Sequence, residues 1–178
     1  MSTSELAMIL HIPHASDIIP QNFRDQIVLS DSDLAAELTL ITYAFTDELF
    51  FLPGGTVLLF PISRLLVDVE RFPDDAEEPM SKVGMGVIYT LTADGKKLKR
   101  TLLQPQETRI LVSQYYETHH QALLTEVERE LEKFGKALIM DCHSFPSCPL
   151  PCDSDQTIPR PQFCIGTVFF THLRNCAG

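Results

Sequence analysis

One stretch near the start of the chain decides the fold: Ala7-Met-Ile-Leu-His-Ile-Pro-His14. Residues 7 to 12 form a near-continuous apolar run that Pro13 closes, which is typical of a strand buried on both faces in a largely parallel sheet. His14 is therefore predicted at the carboxyl end of a central strand.

Three further segments read as strands. These are Thr56–Phe60, Leu65–Val69 and Ala137–Asp141, the last predicted as a short buried strand that delivers Cys142-His143-Ser144 at its carboxyl end. Asp94-Gly95 has the composition of a hairpin turn. The segment from Phe72 to Gly86 is rich in Pro, Asp and Gly and is predicted to be a long irregular loop.

Two long helices separate these strands. Ser30 and Asp33 resemble a capping box, and the apolar spacing that follows predicts a helix reaching Leu52, where Pro53-Gly-Gly55 ends it. A second helix is predicted from about Pro105 to Phe134, with Gly135 as its stop. Alternating strands and helices predict a three-layer α/β domain with a mostly parallel sheet, whose ligands bind beyond the carboxyl ends of the strands.

Composition limits the class of protein. The chain has 178 residues, which suits one domain, and its apolar content of 44% excludes a disordered chain. Its net charge of −10 is the wrong sign for gripping nucleic acid or an anionic membrane surface. The first apolar run is too short for a membrane span and lacks the basic flank of a signal peptide, so we expect a cytoplasmic protein. Five cysteines, all late in the chain, favour reduced thiols over a disulfide framework.

Histidines at strand ends are the first candidates for chemistry. His14 and His143 should reach the same sheet edge, where two imidazoles can share a metal ion, although a strand-end histidine can equally be a hydrogen-bonded structural residue. Asp17 follows His14 by three residues and is a candidate third ligand, or alternatively the cap of a turn before Pro20.

Arginines bracket the predicted strand 65–69. Arg64 and Arg71 would place guanidinium forks near the same edge, suited to capturing the carboxylate of a small anionic substrate. The alternative is an internal ion pair with Asp68 or Glu70.

A histidine pair lies in the second long helix. His119 falls on the apolar stripe, so His120 is the freer of the two and a candidate polar site residue, with a plain surface histidine as the alternative. A structural zinc site built from Cys142, Cys148 and Cys152 is a further reading, although their spacing is irregular.

Five motifs in order give a family resemblance. They are His11-Ile-Pro-His-Ala-Ser16, Arg64-Leu-Leu-Val-Asp-Val-Glu-Arg-Phe-Pro-Asp-Asp75, Gly84-Met-Gly86, Tyr115-Tyr116 with His119-His120, and Met140-Asp-Cys-His-Ser-Phe-Pro146. Together they resemble the N-formylglutamate amidohydrolase family, which is related to zinc carboxypeptidases and aspartoacylase, over residues of about 7 to 167. The resemblance implies a phosphorylase/hydrolase-like fold and hydrolysis of N-formyl-L-glutamate to formate and glutamate, in histidine breakdown.

The resemblance also implies roles for individual residues. His14, Asp17 and His143 would hold zinc or another divalent metal. Arg64 would stabilise the oxyanion, and Arg64, Glu70 and Arg71 would bind the substrate; His120 is added as a catalytic candidate. In related enzymes a glutamate late in the chain moves the proton between the attacking water and the leaving amine.

Three departures from the family pattern qualify this expectation. Glu70 stands where the wider group often has Asn, and Tyr43 stands where an Asp is expected. After Thr167 the resemblance stops, as a truncation would produce, so we expect a fold incomplete at its carboxyl end, impaired hydrolysis and self-association through an uncovered sheet edge. An inactive, anion-binding remnant of the same fold is the alternative.

Overall fold

The computed structural model describes residues 7–99, 103–153 and 155–167. Strands and helices alternate along the described residues. In chain order they are β1 (Met8–Ile12), α1 (Gln21–Arg24), α2 (Asp31–Ile41), α3 (Thr46–Leu49), β2 (Thr56–Leu59), a 3-10 helix (Pro79–Val83), α4 (Pro105–Leu111), a π-helical segment (Val112–Glu117), α5 (Thr118–Phe134) and β3 (Leu138–Asp141).

β1 is the central strand of a three-stranded parallel sheet with the order β2-β1-β3. Leu10 pairs with Val57 on one side and with Met140 on the other. Parallel pairing brings the carboxyl ends of all three strands to one edge. The α/β class and the central position of the first strand, both predicted from the sequence, are confirmed.

Both faces of β1 are covered. On one face His11 contacts His119 of α5. On the other face Leu10 and Ile12 pack with Cys142 against the chain around Phe50. The sheet therefore lies between α5 and the segment that follows α3, so β1 is almost entirely buried.

β3 departs from the prediction of a buried strand. Leu138, Ile139 and Met140 are exposed by 52%, 42% and 39%. β3 pairs with β1 alone in the described part of the chain, and an edge strand is buried only where other elements pack on it. The apolar run predicted the strand correctly but its burial wrongly.

The predicted helix from Ser30 to Leu52 is interrupted. Ser30 caps α2 as expected, accepting from the backbone N–H of Asp33, but α2 ends at Ile41. Thr42 is extended, and the N–H of Tyr43 donates to the carbonyl of His14 at 2.9 Å. This long-range bond replaces the helical pattern and turns the chain toward the end of β1.

The segment 65–69 is not a strand. It forms a series of turns, with the N–H of Leu66 bonded to the Ser63 carbonyl and the N–H of Asp68 bonded to that of Val87. Its apolar side chains are buried in two core clusters nonetheless, Leu65 in one and Leu66, Val67 and Val69 in the other. The local ion pair between Arg64 and Asp68 favours a turn over an extended strand, which would hold these side chains apart.

The second long helix is confirmed with one modification. α4 and α5 are joined without a break by the π-helical segment, and Gly135 ends α5 with a left-handed φ of 69°. His119 is buried, as its place on the apolar stripe predicts.

The loop and turn predictions also hold in outline. The segment 72–86 is irregular apart from its 3-10 helix, and Gly95 makes the predicted turn, its N–H bonded to the Thr92 carbonyl. Cys142, Cys148, Cys152 and Cys164 are free thiols. Among the described residues, no helix combines the length and apolar character needed to cross a bilayer.

Candidate active site

His14 lies fully buried just beyond the end of β1. Its Nε2 is 2.9 Å from Oδ1 of Asp68, and because a carboxylate can only accept, Nε2 carries the proton of this bond. Burial, reinforced by the charge of Arg64, lowers the pKa of His14 although Asp68 and Glu70 oppose the shift. The imidazole is therefore neutral, and its Nδ1 presents a lone pair.

That lone pair faces a carboxylate. Nδ1 of His14 is 3.2 Å from Oε2 of Glu70 yet has no hydrogen-bond partner. Two acceptors at this distance repel each other unless a cation or a proton lies between them. The contact therefore indicates a cation-binding position.

His143 completes the group from the end of β3. Its Nε2 is 2.9 Å from Oε1 of Glu70, and one ligand atom from each of His14, Glu70 and His143 lies within 4.8 Å of the others. Zinc–nitrogen bonds of ~2.1 Å in a tetrahedral site place ligand atoms roughly 3.4 Å apart. The contacts of 3.2 and 2.9 Å between Glu70 and the two histidines are close to that spacing, so the residues fit a divalent metal.

Charge at Glu70 suits the same role. Burial alone would raise its pKa, but the hydrogen bond from His143 lowers the pKa of Glu70 overall. Glu70 thus offers an ionised oxygen between the imidazole nitrogens of His14 and His143.

Asp17, expected as the third ligand, does not join this group. It is exposed in the loop after β1 and belongs to neither of the potential metal-binding groups of the described residues. The chain turns away at Ser16, whose hydroxyl donates to the Pro61 carbonyl at 2.8 Å. Glu70 occupies the position that spacing alone suggested for Asp17.

Asp68 is the hub that holds the site together. Fully buried, its two oxygens accept from His14, from Nε and Nη2 of Arg64 at 3.1 and 2.7 Å, from the Tyr89 hydroxyl at 2.8 Å and from the backbone N–H of Glu70 at 3.0 Å. Burial would raise the pKa of Asp68, but Arg64 and the His14 hydrogen bond hold it well below its usual range. Asp68 thus orients the side chain of His14 directly and holds Glu70 through its backbone N–H.

Arg64 and Arg71 differ in how fully Asp68 engages their guanidinium groups. Arg64 is buried, spends its fork on Asp68 and lies over the ring of Tyr43 with Cζ 5.1 Å from the centroid. Arg71 is 3.5 Å from Asp68 through Nε, which has no hydrogen-bond partner, and its side chain is 22% exposed. Arg71 is therefore the better placed to meet an anion.

Tyr43 covers the histidines. Its ring centroid is 5.1 Å from that of His14 and 5.0 Å from that of His143. The early end of α2 at Ile41 places it there, outside the helix that the sequence predicts through this position. An aromatic wall at this position lowers the local dielectric around the His14–Glu70–His143 group.

A second group adjoins the first. His11, Glu70 and Asp141 also bring ligand-type atoms within 4.8 Å of one another. His11 Nδ1 bonds Asp141, and its Nε2 is 2.8 Å from Nε2 of His119, whose pKa burial and the neighbouring His11 lower to about 4. Asp141 is thus bonded to His11, which in turn contacts the buried His119.

His120, the catalytic candidate of the helix, lies behind the site. Its Nε2 donates to the carbonyl of Val69 at 2.8 Å, and its ring stacks near Tyr116. His120 therefore fixes the backbone immediately before Glu70. The cysteines take no part in either potential metal-binding group of the described residues.

Sequence reasoning missed the roles of Glu70, Asp68, Tyr43 and His11. The pair Asp68-x-Glu70 offered a signal, because two carboxylates next to a strand-like apolar run that also carries arginines are a plausible ligand and its support. The sequence around Tyr43 offered no such signal, because the position of Tyr43 depends on where α2 ends.

A parallel sheet with His14 and His143 beyond two of its strand ends, and Glu70 beside them from a turn, defines an α/β protein with a candidate metal centre. The model of the N-formylglutamate amidohydrolase family matches residues 6–176. The chain belongs to this family, and the match runs past the predicted limit at residue 167.

Known relatives agree. An N-formylglutamate deformylase of Pseudomonas putida is 28% identical over 169 residues, covering 91% of this chain and 59% of the relative. One from Pseudomonas aeruginosa is 30% identical over 107 residues, covering 59% of this chain and 38% of the relative. The chain thus spans less than two thirds of the length of these relatives.

Solved structures show the same fold. An N-formylglutamate amidohydrolase from Ralstonia eutropha JMP134 superposes with a TM-score of 0.71 at 21% identity, over 82% of this chain and 56% of that one. A protein from Agrobacterium tumefaciens gives a TM-score of 0.56 at 22% identity, over 78% and 52%.

Proposed function

We propose that this protein binds a divalent metal, zinc or a similar ion, through His14, Glu70 and His143, and hydrolyses N-formyl-L-glutamate or a similar N-acyl amino acid. The observation that carries the metal site is the unpartnered Nδ1 of His14 facing the Glu70 carboxylate. The names of the relatives supply the substrate class.

In this proposal His14, Glu70 and His143 would hold a divalent ion, which would supply the Lewis acidity that amide hydrolysis needs. Water adds to the formyl carbon, the C–N bond breaks, and formate and glutamate leave. Arg71 binds a carboxylate of the substrate through donors that Asp68 does not occupy. Tyr43 shields the reacting groups from solvent.

Arg64 and His120, expected to be catalytic, receive supporting roles. Arg64 keeps Asp68 ionised so that Asp68 can orient His14, and His120 holds the backbone next to Glu70 through Val69. Support of this kind for a metal ligand typically changes metal affinity by about 10–100-fold. We further propose a cytoplasmic location and a place in histidine breakdown, supported by the resemblance alone.

The metal site is tested by Glu70→Gln. The variant keeps the shape of the side chain but removes the charge, so we expect zinc affinity, measured by competition with a chromogenic chelator, to fall by at least about tenfold. Glu77→Gln is the matched control, because Glu77 is exposed on the same loop and lies outside both groups. Equal affinities for the two variants would remove Glu70 from the site.

The activity is tested by formate release from N-formyl-L-glutamate. We expect turnover that a chelator abolishes and added zinc restores. Arg71→Lys should raise KM about tenfold, because an ammonium cannot reproduce the two parallel bonds of a guanidinium. Turnover that persists after complete metal removal would contradict the proposed mechanism.

A metal- and anion-binding protein without turnover is the second candidate. One observation favours it: Glu70 and Asp141, the carboxylates nearest the metal position, are both engaged by histidines and so are poorly placed to move a proton. Stoichiometric zinc binding without formate release would select this candidate.

A further inference from the structure

A second concave site lies in the loop region that follows the candidate active site along the chain. It is a solvent-open cavity of about 500 Å³ between the 3-10 helix and the turn around Gly95. Ser81, Lys82, Thr90, Lys97 and Lys99 are among its lining residues. None of the residues assigned to the metal or substrate site lines it.

The charge of this cavity contrasts with that of the chain. The protein carries a net charge of −10 and has six lysines, of which three line this cavity. Lys82 and Lys97 are exposed, and neither forms an ion pair with another described residue. Three lysines therefore bring positive charge to the lining of one cavity, where an anion would be attracted.

Lys99 is the most informative of the three. The residue is only 4% exposed, and its buried Nζ has no hydrogen-bond partner among the described residues. Its backbone is fixed by an antiparallel bridge to Ile27. Burial lowers the pKa of Lys99 to about 8, so the amine stays largely protonated at neutral pH. A buried charge without a partner is costly, and a bound anion would provide the partner.

The hydroxyls of the cavity restrict the type of recognition. Ser81 donates to the carbonyls of Asp75 and Glu78 at 2.7 Å, and Thr90 donates to that of Gly84 at 3.3 Å. These donors are occupied, so the ammonium groups would carry the binding. Ammonium groups act as point charges and suit a compact, multiply charged oxyanion.

We propose that Lys82, Lys97 and Lys99 form a binding site for a small phosphate-bearing anion, separate from the metal site. This proposal does not depend on the hydrolytic activity.

The test is calorimetric titration of the whole purified protein with inorganic phosphate at low ionic strength, with succinate as the dicarboxylate comparison. Lys99→Met and the double variant Lys82→Gln/Lys97→Gln should each weaken phosphate binding about tenfold, as expected for loss of charge-assisted contacts. Lys136→Gln, the same change of charge at an exposed lysine elsewhere, should leave binding within about twofold.

The double variant changes exposed residues only, so it tests the proposal even if Lys99→Met fails to fold. Phosphate binding that is equal in all four proteins would overturn the site. Binding lost in Arg71→Gln but kept in the lysine variants would do the same, by moving the anion to the arginine. Tighter binding of succinate than of phosphate would overturn the phosphate assignment.

Discussion

β1 and β3 are neighbouring strands with similar sequences and opposite environments. Both are short apolar runs followed two residues later by a candidate ligand histidine, yet β1 is buried and β3 is exposed along its whole length. The side chain of His14 is fully buried, and that of His143 is 36% exposed. The candidate site therefore joins a fixed ligand to a more accessible one, and sheet order rather than composition makes the difference.

The largest expected effect comes from removing the support of the buried side. Asp68→Asn leaves Arg64 buried without its counter-ion, so we expect unfolding free energy, measured in urea, to fall by about 3–5 kcal/mol. Asp47→Asn, on the exposed face of α3, should change it by less than about 0.5 kcal/mol. A small loss in Asp68→Asn would mean that Asp68 is not the hub of the site.

Two residues in register test the strands themselves. Leu10 and Met140 are paired across β1 and β3, and they are 2% and 39% exposed. Leu10→Ala should cost about 2–5 kcal/mol of unfolding free energy. Met140→Ala should cost less, about 1 kcal/mol, because 39% of the residue stays in water when the chain folds. Similar losses in the two variants would show that β3 is covered in solution.

Folding stability should depend on pH through His119, which contacts His11 on the core face of β1. Burial lowers the pKa of His119 to about 4, so its folded value lies below the unfolded value of ~6.5. The unfolded state then binds more protons as pH falls between these values, and folding loses stability of the order of 2 kcal/mol. His119→Asn lacks this proton, so its stability relative to the native chain should improve from pH 7 to pH 4. A constant difference across that range would place His119 in solvent.

The smallest effect concerns association through the exposed edge. We expect the chain to self-associate, because apolar side chains on an edge strand favour pairing with another copy. Ile139→Lys should shift sedimentation toward the monomer without a large change in folding free energy. Unchanged sedimentation would exclude β3 as the contact.

The sequence predicts the parallel sheet and the meeting of His14 with His143, because the ends of buried parallel strands converge whatever lies between them. It fails at 65–69, where the bonds of Asp68 to the distant Val87 and Tyr89 add to its local ion pair with Arg64 and hold the backbone in turns. The position of Tyr43 is unpredicted for the same reason, since its backbone N–H bonds to the carbonyl of the distant His14. Local patterns specify elements, while long-range hydrogen bonds place Glu70 and Tyr43.

The π-helical segment Val112–Glu117 determines how far α5 is rotated about the helix axis relative to α4. A π-turn behaves as one residue inserted into an α-helix, and each residue of an α-helix advances the side-chain direction by ~100°. Winding the same six residues as an α-helix would rotate α5 against α4 by about that angle. His119 would then swing away from His11 and His120 from Val69. The extra residue in the π-helical segment thus sets the rotation of α5 that lets His119 contact His11 and His120 contact Val69.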